Sequence, residues 1–224
     1  MPSRIGTLFA LILLAATLRA EDGSQAWLRY APPLPNSLPA AYQKMPATLI
    51  DLDASPESAS AQNELLHGIR SMLDRTLRVQ TNVPANDNAW ILGTSAEIHT
   101  AFPEFHTATP GPEGFSLSIL TARGRQYWII AGADPRGLLY GAFHMLSGIA
   151  RGVSFAAMQG AESPAAPVRW VNQWDNLNGT IERGYGGRSI FFDNDQVRTD
   201  LTRAAQYARL LASIGINGCT INNV

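Results

Sequence analysis

The sequence predicts an α+β domain over residues 25–150, ordered strand, helix, three strands, helix, followed over 168–224 by a βαβ unit of the kind that builds a TIM (β/α)8 barrel. Three observations predict it. Short runs rich in β-branched and aromatic residues alternate with long stretches whose apolar residues recur every 3.6 positions. A segment rich in Ala, Gly and Pro, residues 151–167, then separates off the last quarter, which reads strand, crossover helix, strand. At 224 residues the chain has room for the start of a barrel only, since a whole one takes about 250.

Residues 1–20 carry Arg4, an apolar run from Ile5 to Leu18, and Ala20 before Glu21-Asp22. That is the pattern of a cleaved signal peptide, so export to the periplasm or the medium is expected. Pro32, Pro33, Pro35 and Pro39 break up the next segment, which is expected to wrap the surface. Residues 47–52, ATLIDL, form the first strand. Ser55-Pro56 supplies a helix cap with proline at the first position, and Leu65, Ile69, Met72 and Leu73 give the stripe behind it. AWILGT (89–94), GFSLSIL (114–120) and QYWIIA (126–131) are the next three strands, the last two joined as a hairpin around Arg123-Gly124-Arg125. Asp134-Pro135 caps a second helix, with Leu138, Ala142, Met145 and Ile149 on one stripe and Gly152 as its stop. Both helices are expected on one face of the sheet.

Beyond the linker, VRWVNQW (168–174) reads as a short buried strand. A helix beginning near Asp195 carries Leu201, Ala205, Ala208 and Leu211 at helical intervals, Gly215 ends it, and residues 219–224 form the second strand.

The formal net charge of -1 points to neither nucleic acid nor an anionic membrane surface as a partner. Cys219 is the only cysteine, so no disulfide forms within the chain. His67, His99, His106 and His144 are scattered without the spacing of metal ligands. No cofactor is expected.

The chemistry concentrates after the strand at 168–174. Gln173-Trp174-Asp175-Asn176-Leu177, then Thr180-Ile181-Glu182-Arg183-Gly184-Tyr185-Gly186-Gly187 and Ser189-Ile190-Phe191, form a polar, Gly-rich loop at a strand's carboxyl end, where α/β proteins place ligands. This run resembles the start of the catalytic barrel in the bacterial α-glucuronidases of glycoside hydrolase family 67. Trp27-Leu28-Arg29-Tyr30 and Gly132-Ala133-Asp134-Pro135-Arg136-Gly137 with Leu139-Tyr140-Gly141 extend the resemblance over the rest of the chain.

The resemblance implies an accessory domain before a barrel, and hydrolysis, with inversion, of the α-1,2 bond between 4-O-methyl-glucuronic acid and the terminal xylose of a xylo-oligosaccharide. It further implies that Trp174, with Val224 closing Asn222-Asn223-Val224, forms an apolar sheath around the 4-O-methyl group. Asp175, Asn176, Glu182, Arg183 and Asn223 complete the candidate substrate-binding set. Asp175 and Glu182 are the loop's two carboxylates, but the family's general acid and base lie on later strands, so no catalytic residue is assigned within the chain and the polypeptide alone is expected to hydrolyse nothing. The family's dimers rely on a later domain. Two other readings stand beside this one: a glycosidase of a related barrel family, such as a β-N-acetylhexosaminidase, and a non-catalytic carbohydrate-binding fragment.

Overall fold

A computed structural model describes residues 23–34, 36–84 and 86–221. The expected signal peptide over 1–20, and Asn222, Asn223 and Val224, lie outside the described residues.

The first unit is built on a six-stranded sheet of β1 (Thr48–Asp51), β2 (Arg78–Gln80), β3 (Ala89–Thr94), β4 (Phe115–Ala122), β5 (Arg125–Gly132) and β6 (Gly160–Glu162), in the order β2-β1-β3-β5-β4-β6. The first four in that order run parallel, and β4 runs antiparallel to both of its neighbours, β5 and β6. Helices α1 (Pro56–Leu73), α2 (Ser95–Ala101) and α3 (Pro135–Ala150) cover it.

The local signals act as expected. Ser55 accepts from the Ser58 amide at the start of α1, and Asp134 accepts from the Gly137 amide at the start of α3. Arg123 and Gly124 both take left-handed φ, of 53° and 71°, which turns β4 into β5 in two residues. Strand alternation then sorts the side chains. Trp90 and Leu92 of β3 pack with Leu65 and Ile69 of α1 and Leu138 and Leu146 of α3, while Ile91 faces the other way, toward Ile98 and Phe102. Burying one such aliphatic side chain is worth about 1.5–3 kcal/mol. At the start of α3 the chain passes so close to β4 that a Cβ on Gly137 would sit 2.0 Å from the Gly114 carbonyl oxygen.

Four details differ from expectation. Helices lie on both faces of the sheet, because α2, absent from the expected order, covers Ile50, Ile91 and Ile129 with Ile98, Phe102 and Phe105; the unit is a mixed α/β layer structure. The proline-rich segment does more than wrap the surface. It forms 3-10 turns at Ala26–Arg29 and Ala40–Lys44 and sends Leu28, Tyr30, Tyr42 and Met45 into the core. The stretch expected as linker carries Phe155, fully buried against Trp90 and Trp128, and then β6, which pairs with β4. Edge strand β2 also joins the sheet; its three residues are all exposed, so they lack the alternation that marks a strand.

The second unit holds β7 (Trp170–Gln173), a hairpin of β8 (Phe192–Asp193) and β9 (Gln196–Val197), helix α4 (Thr202–Ala212) and β10 (Gly218–Ile221). β7 and β10 pair in parallel with α4 between them in sequence, the expected βαβ arrangement. The helix begins at Thr202 rather than near Asp195, because Asn194 and Asp195 both take left-handed φ, 51° and 60°, and turn β8 back into β9. Nor is β7 buried: Trp170 is 56% exposed, and among the described residues β7 has one strand neighbour, β10.

Candidate functional site

The loop from Trp174 to Val197 leaves the carboxyl end of β7 and is held by its own backbone. The Glu182 amide donates to the Trp174 carbonyl at 2.7 Å and the Asn176 amide to the Thr180 carbonyl at 2.8 Å. The Asn176 side chain donates to the Thr180 hydroxyl at 2.9 Å and to the Glu182 carbonyl. Asn178 accepts from the Thr180 amide and hydroxyl, an Asx turn that holds the tip. Farther on, the Ser189 hydroxyl accepts from the amides of Phe191 and Phe192, both at 3.0 Å, and Arg188 pairs with Asp193 at 2.6 Å. Gly179, Gly184 and Gly187 supply left-handed turns, but Glu182 takes one too, with φ of 53°.

This scaffold treats the candidate residues differently. Trp174 is 48% exposed, so its indole offers an open apolar surface at the strand's end. Glu182 and Arg183 line a polar cleft of about 480 Å³ with Asn176, Leu177, Asn178, Thr180, Gly184 and Asp195. Asn176 is nearly buried and spends its amide on the loop. Asp175 is only 1% exposed, and neither of its carboxylate oxygens has a hydrogen-bond partner among the described residues. The Cys219 thiol nearby is pushed up from its ordinary pKa by burial and by the Asp175 charge, which disfavours the thiolate form. Tyr185, exposed beyond the cleft, is raised by its hydrogen bond to Glu182.

Sequence reasoning passed over Asn178, Thr180 and Asp195 as cleft residues. Asn178-Gly179 and Asn194-Asp195 are turn signals that could have found two of them. Among the described residues no three His, Cys, Asp or Glu side chains gather as a metal site would require.

Comparison with known proteins bears on this geometry. The glycosyl hydrolase family 67 N-terminus matches residues 26–145 and the family's middle domain matches 149–224, so the second match takes in β7, the loop and β10. A probable alpha-glucuronidase A of Neosartorya fischeri is 40% identical over 96% of this chain. Alpha-glucuronidase A of Emericella nidulans is 41% identical over 95%, and an alpha-glucuronidase of Hypocrea jecorina 41% over 96%. The chain spans about a quarter of the length of these relatives: 25%, 25% and 26%. Among solved structures, a family GH115 4-O-methyl-alpha-glucuronidase with specificity for decorated arabinogalactans superposes with a TM-score of 0.53 at 15% identity, covering 79% of this chain and 25% of that one, a likeness of fold alone. With residues 26–145 and 149–224 both matched, the chain belongs to glycosyl hydrolase family 67.

Proposed function

We propose that the chain is the leading part of an exported α-glucuronidase that removes 4-O-methyl-glucuronic acid from the terminal xylose of xylo-oligosaccharides, cleaving the α-1,2 bond with inversion. The observation that carries the reading is the half-exposed Trp174 at the carboxyl end of β7, followed directly by a polar cleft, within the family's middle domain. In a barrel, that end of the strands is where substrates bind. The Trp174 indole walls the apolar methyl group, and Arg183 and Glu182, which line the cleft, are available to sugar hydroxyls; the family resemblance adds Val224 and Asn223 to this binding set.

Asp175, the carboxylate that directly follows Trp174, is set apart from such contacts by its burial. Inversion needs a carboxylic acid to protonate the leaving oxygen and a carboxylate to activate water on the opposite face, the two about 6.5–9.5 Å apart. Those two groups come from barrel strands beyond Val224, and the reaction so drawn calls on no metal or organic cofactor.

Joining this chain to the remaining three quarters of the Hypocrea jecorina relative tests the reading. The joined protein turns over an aldouronic acid and releases the inverted anomer, seen by NMR, whereas the chain alone releases nothing. Trp174→Ala in the joined protein raises KM about tenfold, a loss of about 1.4 kcal/mol, for the methylated substrate and less for the unmethylated one. Turnover by the chain alone, retention of configuration, or an unchanged KM would each overturn it.

A further inference from the structure

The first unit meets the second through two matching clusters. In one, Glu113, just before β4, holds Arg169, just before β7, at 2.5 Å, and the Arg169 guanidinium lies 5.6 Å from the ring centre of Tyr140 on α3. In the other, Glu64 of α1 holds Arg209 of α4 through both carboxylate oxygens, one of them at 2.8 Å, and that guanidinium lies 5.6 Å from the ring centre of Tyr30. Carboxylate and tyrosine come from the first unit each time, and the arginine from the second. All four charged side chains are less than a third exposed, where such pairs escape much of the screening that weakens surface ion pairs.

Each cluster is finished by hydrogen bonds that fix direction. Asn217, just before β10, donates to Glu113 at 3.0 Å and to the Pro167 carbonyl at 2.8 Å, and its side-chain oxygen accepts from the Arg169 amide at 2.9 Å. Arg169 also donates to the Gly215 carbonyl at 2.6 Å, and Arg136 at the start of α3 gives Glu113 a second guanidinium. Tyr30 donates to Glu64 at 2.6 Å, while Trp27 donates to the Ser213 hydroxyl at 3.0 Å just past α4. Glu113 makes its contacts from a left-handed backbone, φ 57°, a conformation that costs a side-chain-bearing residue and that glycine adopts freely. The carboxylate at this position thus offsets a strained backbone.

We propose that these are two sockets that set the place of the βαβ unit on the first unit, with Glu64 and Glu113 as positioning residues. Glu113 fixes the amino ends of β7 and β10 together through Arg169 and Asn217, and Glu64 fixes α4. A strand gripped at its base delivers its other end to a defined point. The sockets therefore orient the loop that begins at Trp174, and this last step rests on the proposed sugar-binding role of that loop. It gives the motif Asp134-Pro135-Arg136-Gly137 a purpose as well: Asp134 accepts from the Glu113 amide at 2.8 Å and Arg136 holds its carboxylate, so the motif shapes one socket.

Amide hydrogen exchange on the whole 224-residue chain, without sugar, tests the sockets independently of any activity. Arg169→Met and Arg209→Met keep the apolar stem and remove the guanidinium. Each is expected to speed exchange at Trp170–Gln173 and Gly218–Ile221 at least tenfold while leaving β3 and β5 unchanged. Glu113→Gly is expected to do the same although it relieves the backbone. Reversing the second pair, Glu64→Arg with Arg209→Glu, is expected to restore at least part of the protection that Glu64→Arg alone removes. Unchanged exchange in β7 and β10, an equal rise throughout the first unit, slower exchange in Glu113→Gly, or no recovery in the reversed pair would overturn the proposal. None of these readouts involves Trp174, so the sugar-binding reading stands or falls separately.

Discussion

Helices α1 and α4 are both amphipathic in sequence, yet α1 buries Leu65, Ile69 and Met72 completely or nearly so, whereas none of the residues of α4 is buried. β3 and β7 differ in the same way: every residue of β3 but Thr94 is buried, and no residue of β7 is. Periodicity selects the element, and neighbours on both sides decide whether its apolar face leaves water. The first unit has those neighbours; the second has them only where the sockets and α4 touch the first.

Four measurements would break or sharpen that contrast. The largest effect is expected from Trp90→Ala. Trp90 is fully buried, donates to the Pro46 carbonyl at 3.1 Å, and meets the rings of Trp128 and Phe155 at 4.9 and 5.5 Å. Its loss should cost about 3–5 kcal/mol by denaturant unfolding. Trp170→Ala, on the exposed face of β7, should cost less than about 0.5 kcal/mol, and equal costs would erase the distinction between the units.

Next comes Asp175→Leu. A buried carboxylate that no described residue pairs carries its desolvation cost, so an apolar side chain of similar size should stabilise the chain by about 1–3 kcal/mol. A destabilised variant would show that the carboxylate serves a partner in the folded chain.

Acid should loosen the second unit selectively. Burial pushes the Glu113 carboxyl up, but hydrogen bonds from Arg169, Asn217 and Arg136 outweigh it and hold the group below its ordinary value of 4.5. A depressed carboxyl contributes stability that is fully present above 4.5 and is lost as pH falls through the lower folded value. Exchange at β7 and β10 should therefore accelerate below pH 4.5 before the β3 and β5 amides respond. Simultaneous loosening of both units would contradict it. The smallest effect is expected of Asp195→Gly. Glycine suits the left-handed second position of the β8–β9 turn, for a gain of about 0.5 kcal/mol, visible as slower exchange at Gln196 and Val197 and absent if the turn already tolerates aspartate without strain.

What was legible in the sequence followed from signals that are local and repeated. Ser55-Pro56 and Asp134-Pro135 mark helix starts because cap and proline act on the first turn alone, and β3, β4 and β5 declare themselves by β-branched and aromatic runs. Thr94 and Glu97 form a reciprocal capping box that marks α2 just as plainly, yet directly after a strand its seven residues fall below the length at which periodicity speaks. β6 is three exposed residues, Gly160 to Glu162, and exists only because β4 offers an edge. At the candidate site, position after a strand identified the loop. Which side chain faces out was not legible: Trp174 and Asp175 are neighbours in a polar run, and only the fold of the loop over Asn176 leaves the indole open and closes in the carboxylate.

The two sockets also carry a meaning in time. Everything that forms them from the first unit, Tyr30, Glu64, Glu113 and Tyr140, precedes Arg169 and Arg209 in the chain. A ribosome adding about 5–20 residues per second therefore delivers each arginine to a receptor made seconds earlier. The first unit acts as a jig, on which β7 and β10 are clamped at their bases as they emerge.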